Sequence, residues 1–284
     1  MQIQKTGHFS SRTIYFSDTK KQAEANTRTA ACNSDILEAL SIQSANNAPI
    51  INQNQIQEEI DIITKNIQEK FDEITQEMQD IYSEVTHLYK KGDKTAPDGS
   101  FLRIITGDNK QKTMEEYTQD GRLTRKTTFT KINGGLLCSV EEGCEILPNG
   151  SKKIAKRALF WHNQPISFIQ DHQIMPDGSE KFKKRTDFRF AKPVYFVEDY
   201  KKLKDGTLER AEEVEYSFGK ISYYLKGFKG QKDGSFEQEK EIHFKDGQAI
   251  LYQNGLSRNE NGVLSAQKTF KKTKNGWQEI RNKF

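Results

Sequence analysis

Five turn signals lie at a constant spacing in the second half of the chain. An Asp-Gly or Asn-Gly step begins at residues 149, 177, 205, 233 and 261, each 28 residues after the one before. These steps favour tight turns, because such turns need a left-handed backbone that glycine adopts freely and that Asn and Asp tolerate. A fixed period of this kind is typical of a repeat array. The spacing therefore predicts a repeated structural unit and leaves the function open.

The composition limits the core. Of the 284 residues, 34% are hydrophobic and 30% are charged, and the mean hydropathy is -0.85. A sheet with one dry face suits this composition better than a multilayered enzyme does. No apolar run approaches the roughly 18 residues of a membrane-spanning helix, and no ordinary signal peptide is visible. Three cysteines are too few for a disulfide framework, so we expect a cytoplasmic protein, with secretion by a signal-peptide-independent route as the alternative.

Charge is distributed unevenly along the chain. Residues 1–53 carry a net charge of +1, residues 54–92 carry -5, and residues 93–284 carry +8. In the last segment lysines alternate with glutamates, which is typical of a solvated surface, whereas nucleic-acid binding needs a denser basic stripe. We therefore expect no nucleic-acid partner and, without a spanning segment, no membrane partner.

The same three ranges are the predicted segments of the molecule. Residues 1–53 are rich in Asn, Gln, Ser, Thr and Ala and lack periodicity, which predicts a disordered tail. Residues 54–92 predict one long helix, because apolar side chains recur in steps of three and four residues and Gly92 follows as a stop signal. Residues 93–284 hold the repeat array.

The apolar seam of the predicted helix has two interpretations. Its members are Ile56, Ile60, Ile63, Ile67, Phe71, Ile74, Met78, Ile81, Val85 and Leu88. A seam this narrow serves either a coiled coil, which would form a homo-oligomer through residues 54–91, or packing on an apolar surface of the same chain. The opposite net charges of the helix and the array slightly favour packing within the chain.

Numbering each repeat from the Asp or Asn of its turn, as column 0, aligns the copies. Large apolar side chains recur at columns 11, 17, 19 and 23, all odd, as expected for strands with one buried face. Columns 11 and 19 hold Phe160, Phe188, Tyr216, Phe244, Phe168, Phe196, Tyr224 and Tyr252. Column 17 holds Ile166, Val194 and Ile250, and column 23 holds His172, Tyr200, Phe228, Leu256 and Phe284. A second turn signal between columns 11 and 17 makes each repeat a β-hairpin.

The predicted fold is therefore α+β and mainly β. It is an antiparallel meander of about six 28-residue hairpin repeats, preceded by one long amphipathic helix and a disordered tail. A single sheet with an aromatic face needs a cover. About 12 strands would span nearly the same distance as the predicted helix, whose length is roughly 57 Å. We expect helix 54–91 to pack on the odd-column face, or a curved sheet to wrap around it.

Candidate catalytic and metal-binding residues are few. Cys138, Cys144, His162 and His172 lack the spacing of a metal site, and the alignment assigns both cysteines and His172 to core columns. Paired carboxylates such as Glu212-Glu213 point to opposite faces of a strand, so they do not form an acid–base pair by themselves. We expect no catalytic residue, cofactor or metal. The aromatic residues of columns 11 and 19 are either a partner surface or the core.

The segment Tyr117-Thr118-Gln119-Asp120-Gly121-Arg122-Leu123-Thr124 resembles a YD (RHS-type) repeat. More loosely, the ladder of turns is similar to hairpin-repeat proteins of the MORN and YwqK antitoxin-like kind. These resemblances imply extended sheets of hairpins that mostly bind partners. The other copies lack the Arg-Leu step, and the unit of 28 residues is longer than the units of those families.

Three functions are compatible with this architecture. The first is a non-enzymatic interaction or scaffold module whose polar face or edges bind a protein. The second is a structural, fibre-like homo-oligomer assembled by the helix. The third is an enzyme or glycan-binding protein that uses the aromatic columns. We expect the first, because a repeat spacing specifies a surface and no catalytic constellation stands out.

Overall fold

The structure is a computed structural model that describes residues 53–91, 94–107, 111–132 and 134–280. These ranges contain one helix, α1 (Gln53–Lys91), and 16 strands. The strands are β1 (Lys94–Thr95), β2 (Phe101–Thr106), β3 (Gln111–Tyr117), β4 (Leu123–Ile132), β5 (Gly135–Glu142), β6 (Glu145–Ile146), β7 (Lys152–Trp161), β8 (Gln164–Ile174), β9 (Glu180–Arg189), β10 (Lys192–Lys202), β11 (Leu208–Ser217), β12 (Lys220–Gly230), β13 (Phe236–Lys245), β14 (Gln248–Arg258), β15 (Leu264–Thr273) and β16 (Gly276–Glu279). No helix in the described ranges is long and apolar enough to cross a membrane. The predictions for the tail and for Phe284 lie outside the described residues.

The strands form one antiparallel sheet whose order follows the sequence. The path runs from β1 to β5 and then from β7 to β16, and the short β6 pairs with β7. Within the described residues, β1 and β16 do not pair with each other, so the sheet is open. This confirms the predicted antiparallel meander preceded by one long helix.

The Asp-Gly and Asn-Gly turns connect one hairpin to the next. In each turn the glycine has a positive φ and donates its N–H to the carbonyl three residues earlier, as Gly178 does to Met175 at 3.1 Å. The Asp177 side chain accepts the N–H of Ser179 at 2.9 Å, and this hydrogen bond lowers the pKa of Asp177. A short polar side chain followed by glycine therefore fixes the geometry of the turn.

The helix α1 lies on one side of the sheet, which we call the helix face. Its seam side chains are buried or half-buried in one cluster with side chains of the sheet. The ring of Phe71 lies 5.8 Å from that of Phe196 and 4.8 Å from that of Tyr216, and the rings of Tyr82 and Phe160 are 5.0 Å apart. The seam therefore packs on the sheet of its own chain, which is the second of the two interpretations of the sequence.

Ion pairs between α1 and the sheet border this apolar contact. They join Glu59 to Lys240, Glu77 to Lys156, Glu84 to Arg125, and Lys70 to both Glu198 and Glu212. Three of the helix partners are glutamates that pair with basic residues of the sheet. This agrees with the opposite net charges of the helix and the array. Because Glu59 contacts β13 and Glu84 contacts β4, α1 crosses the strands in the reverse of their order in the chain.

Column 17 departs from the predicted alternation. In four hairpins the residue at this column has no partner in the hairpin ladder and forms a β-bulge: Ile166, Val194, Ser222 and Ile250. A bulge shifts the alternation of side chains by one residue. Column 16 packs on the helix-face cluster instead, as Ile221 and Ala249 show. The prediction that column 17 lies on the buried odd face is therefore wrong for these hairpins.

Column 23 also departs from the prediction, for a different reason. The residue before it, at column 22, has a positive φ in four copies: Asp171, Asp199, Gly227 and Gly255. We call this line of residues the crease, because a left-handed residue reverses the alternation along its strand. His172 and Leu256 are buried, yet they lie outside the helix-face cluster. In these four copies column 23 therefore lies on the other side of the sheet, which we call the polar face, and the prediction of a shared face is wrong for them.

Candidate functional site

The eight aromatic residues singled out in columns 11 and 19 lie on the helix face. Phe160, Phe168, Phe188, Phe196, Tyr224, Phe244 and Tyr252 are buried in the cluster under α1, and Tyr216 packs against it. The Tyr252 hydroxyl donates to the Glu59 carboxylate of α1 at 2.8 Å. These residues are therefore core residues in the described structure, and α1 occupies the surface that they would offer to a partner.

The cysteine and histidine candidates do not converge. Burial on the helix face raises the pKa of Cys138 to about 12, which keeps its thiol protonated at neutral pH. Cys144 was assigned to a core column, but it lies beyond the end of β5 and is only half-buried. His172 lies on the polar face, with its Nε2 3.5 Å from Glu180 Oε2. In the part of the chain that the structure describes, no group of three His, Cys, Asp or Glu side chains could hold a metal ion.

Two rows of side chains cross the polar face, each built from direct partners in neighbouring strands. The first row, from columns 8 and 20, is Arg157, Ile169, Arg185, Val197, Glu213, Leu225, Glu241 and Gln253. The second row, from columns 10 and 18, is Leu159, Ser167, Asp187, Tyr195, Glu215, Tyr223, His243 and Leu251. Direct cross-strand partners have Cβ atoms about 5 Å apart, so each row is continuous.

The centre of these rows, together with Arg210, forms what we call the polar cluster. Its members are Arg185, Asp187, Tyr195, Arg210, Glu213, Glu215, Tyr223, Glu241 and His243. Arg185 Nη2 lies 3.0 Å from Asp187 Oδ2, and Asp187 Oδ1 accepts the hydroxyl of Ser167 at 2.7 Å. Arg210 pairs with Glu213, a side chain that is only 7% exposed. Each acid in these pairs is thus fixed by a neighbouring donor.

The other end of the polar cluster is organised around Glu241. One of its carboxylate oxygens contacts Nε2 of His243, and the other accepts the side-chain amide of Gln238. The ring of Tyr223 meets that of His243 edge to face, with centroids 5.3 Å apart. All four side chains are buried or half-buried. They are therefore held in position while part of their surface stays in contact with solvent.

Burial perturbs the titration of the central groups. It raises the pKa of Glu213 above its ordinary value, and the nearby Arg210 guanidinium offsets this only in part. The pKa of Glu215 is raised for the same reason, with Arg210 and His243 opposing the change. Burial also raises the pKa of Tyr195, so its phenol stays protonated and can donate a hydrogen bond. The cluster thus offers phenol donors and carboxylate acceptors on one surface.

Aromatic side chains extend the polar face beyond the crease. Phe182 stacks on Tyr200 with ring centroids 4.5 Å apart, and the ring of His172 lies 6.0 Å from that of Phe182. The guanidinium of Arg210 lies 4.4 Å above the centre of the Phe228 ring. Arg210 therefore links this aromatic row to the polar cluster, because it contacts both Phe228 and Glu213.

The odd columns of the repeat do not indicate the polar cluster, because most of its residues lie in even columns. The even columns carry a signal of their own: Tyr195 and Tyr223 share column 18, and Glu213 and Glu241 share column 8. The expectation that Glu212 and Glu213 point to opposite faces of their strand is confirmed. Glu212 pairs with Lys70 on the helix face, and Glu213 pairs with Arg210 on the polar face. The predicted alternation of faces is therefore correct at Glu213, but it does not by itself identify the polar cluster.

Comparison with known proteins adds no identity to this geometry. The chain matches no family model and no curated protein sequence. The resemblance of residues 117–124 to a YD repeat, and of the turn ladder to MORN and YwqK-like repeats, therefore stays a prediction. What is established for this chain is an antiparallel hairpin meander with an apolar face under α1 and a polar face on the other side.

Proposed function

We propose that this protein is a non-enzymatic interaction module and that the polar cluster binds a partner protein. The observation that carries the proposal is the division of the sheet into two faces. The apolar face packs under α1, whereas the polar face presents half-buried Tyr195, Tyr223 and His243 among ion pairs. Tyrosine and arginine are enriched where protein interfaces concentrate their binding energy.

Pre-organisation supports the same proposal. The pairs of Arg185 with Asp187 and of Arg210 with Glu213 restrict the side chains before any partner arrives. Side chains that are already ordered lose less conformational entropy on binding. The two tyrosines lie on either side of Glu215 in the second row, as its direct cross-strand partners. A partner would therefore meet a rigid surface in which two phenol rings flank a carboxylate.

The charges of the polar cluster indicate the chemistry of the partner. Four carboxylates, from Asp187, Glu213, Glu215 and Glu241, face two guanidinium groups, from Arg185 and Arg210. Counted as formal side-chain charges, with histidine left uncharged, the cluster carries a net charge of -2. We therefore propose a partner segment with Lys or Arg side chains flanking an apolar or aromatic group. Complementary charges of this kind set orientation and association rate more than affinity.

Affinity capture with matched variants tests the proposal. The wild type is compared with the double variant Tyr195→Ala and Tyr223→Ala, and with the control Val263→Ser at an exposed turn. A protein retained in near-stoichiometric amount by the wild type and the control, and lost from the double variant, supports the proposal. The purified partner should then bind at least about tenfold more weakly to the double variant. Equal retention by all three forms contradicts it.

The fibre-like alternative makes a different demand on the molecule. It requires the seam of α1 for assembly through residues 54–91, and that seam packs on the sheet of its own chain. Light scattering of the full chain distinguishes the two functions, because the interaction module is compatible with a monomer of 32.7 kDa and a fibre is not.

A further inference from the structure

Four hairpins of the array end in the same two-residue turn. Both central residues have a positive φ in each: His162-Asn163, Phe190-Ala191, Phe218-Gly219 and Asp246-Gly247. This geometry favours Asn, Asp and Gly, which three of the four turns supply as Asn163, Gly219 and Asp246-Gly247. Because the backbone is the same in all four, the side chains at the tips can be compared directly.

Phe190 and Phe218 do not fit the demands of their position. A bulky residue is disfavoured at a φ of 52° or 53°, the values that these two adopt. Burial gives no compensation, because their exposed fractions are 83% and 101%. Neither turn geometry nor packing explains why two neighbouring tips carry phenylalanine. A strained residue whose ring is largely exposed points to a role in binding.

The same two tips are basic. Residues 189–192 and 217–220 contain Arg189, Lys192 and Lys220 and no acidic residue. The tips are also adjacent: a Cβ added to Gly219 would lie 3.4 Å from the Lys192 side chain, and one added to Gly247 would lie 3.4 Å from that of Lys220. Hairpins two strands apart are separated by about 10 Å. Two exposed phenyl rings are thus presented side by side with three cationic groups.

We propose that these two tips form a peripheral binding site for an anionic phospholipid surface. Phenyl rings on protruding turns can enter the boundary between headgroups and acyl chains, while lysine and arginine remain at the negative surface. A lipid surface accepts protruding side chains without a matching groove, and the tips lie along one edge of the sheet, where several can reach a plane together. The sequence predicts no membrane partner because it lacks a membrane-spanning segment. That absence does not bear on contact with a membrane surface. The site is separate from the polar cluster.

Co-sedimentation of the full chain with vesicles tests this inference. The probes are vesicles of phosphatidylcholine mixed with phosphatidylserine, and vesicles of phosphatidylcholine alone. The key variant carries Phe190→Asn and Phe218→Asn, because asparagine suits the left-handed turn and should leave the fold intact. The control is Val263→Ser, which removes an exposed apolar side chain from a turn between hairpins.

The wild type and the control should bind the mixed vesicles and bind phosphatidylcholine alone more weakly. Each Phe→Asn change should weaken binding about tenfold, and added salt should weaken it further. Circular dichroism should show the double variant folded. Failure of the wild type to bind the mixed vesicles would overturn the proposal, and so would unchanged binding of a folded double variant. The capture experiment on Tyr195 and Tyr223 is independent of either result.

Discussion

The two faces of this sheet are made by the same strands, yet they are stabilised by different interactions. On the helix face, Phe71 and the other seam residues of α1 pack on aromatic side chains that the strands present at columns 11 and 19. On the polar face, ion pairs such as Arg210 with Glu213 alternate with tyrosines and a few aliphatic side chains. The helix face gains stability from the removal of apolar surface from water. The polar face keeps charged groups partly desolvated, at a cost in stability.

The contrast between the two faces indicates on which of them recognition of a partner is expected. Packing alone accounts for the composition of the helix face, since the aromatic side chains of columns 11 and 19 are buried in the cluster or pack against it. On the polar face, burial raises the pKa of Glu213 and Glu215, because their carboxylates are partly removed from water. Groups held in an unfavourable protonation equilibrium are candidates for recognition, although structural ion pairs also produce such shifts.

The largest effect is expected for Phe71→Ala on α1. The change removes a buried ring that contacts Phe196 and Tyr216, and it leaves a cavity between the helix and the sheet. The free energy of unfolding should fall by about 3–5 kcal/mol in urea denaturation. The control Ile62→Ala, on the exposed side of α1, should change it by less than about 0.5 kcal/mol. A loss of under about 1 kcal/mol for Phe71→Ala would mean that α1 does not cover the sheet.

A smaller loss, of about 2–3 kcal/mol, is expected for Arg125→Met. Its buried guanidinium donates to Glu84 on α1 and Glu116 on β3, which the variant leaves without a cation. The hydrogen bond from Arg125 lowers the pKa of Glu84 below 4.5, so this stabilisation is present above that pH and is lost as the pH falls through the folded-state pKa. The difference between wild type and variant should therefore narrow in acid. A constant difference down to acidic pH would contradict the assignment.

The crease, the line of left-handed residues at column 22, is tested by Gly227→Ala, which should cost about 1–2 kcal/mol. Its φ is +69°, and an added Cβ would lie 2.9 Å from the Cβ of Glu239 on the neighbouring strand. Gly178→Ala is the matched control, because Gly178 also has a positive φ but its Cβ would meet nothing within 4 Å. Thermal denaturation should show the larger loss for Gly227→Ala. Equal losses would mean that the close approach of the strands is not needed.

The smallest effect, and one of opposite sign, is expected for Glu215→Gln on the polar face. Burial raises the folded-state pKa of Glu215 above 4.5, so its ionisation costs stability as the pH rises from the unfolded-state value through the folded-state pKa. Removing the charge should raise the free energy of unfolding at pH 7 by less than about 1 kcal/mol. The gain should vanish in acid. A clear loss of stability at pH 7 would show that pairing with Arg210 and His243 outweighs desolvation.

Much of the fold could be predicted from the sequence, because local chemistry determines it. The seam and Gly92 define a helix at 54–91 that is observed at Gln53–Lys91, and the Asp-Gly and Asn-Gly steps define the turns. Column 23 could not be assigned from alternation alone. Its face depends on the crease, where Gly227 and Gly255 give a glycine signal but Asp171 and Asp199 do not. Aspartate tolerates the left-handed region, but its presence in a sequence does not by itself predict a positive φ.

The polar cluster could be predicted only in part, because its contacts depend on which residues of neighbouring strands pair with each other. Tyr195 and Glu215 are 20 residues apart in the chain and become direct partners only through the register of β10 and β11. That register runs without a shift from the Asp205-Gly206 turn. On its other side, Tyr195 pairs with Asp187 only because of the bulge at Val194, which the turn sequence does not specify. The exposed rings of Phe190 and Phe218 are different, since their place in column 13 follows from the repeat alignment alone. Their exposure required the structure.

The central claim is that α1 covers the sheet of its own chain and leaves the polar face open. Zero-length carbodiimide cross-linking tests it most directly, applied to an equal mixture of unlabelled and nitrogen-15-labelled protein. The account predicts cross-links between Glu77 and Lys156, and between Glu59 and Lys240, whose two peptides always carry the same isotope. Cross-linked peptides of mixed isotope, or the absence of any link between α1 and the sheet, would contradict it.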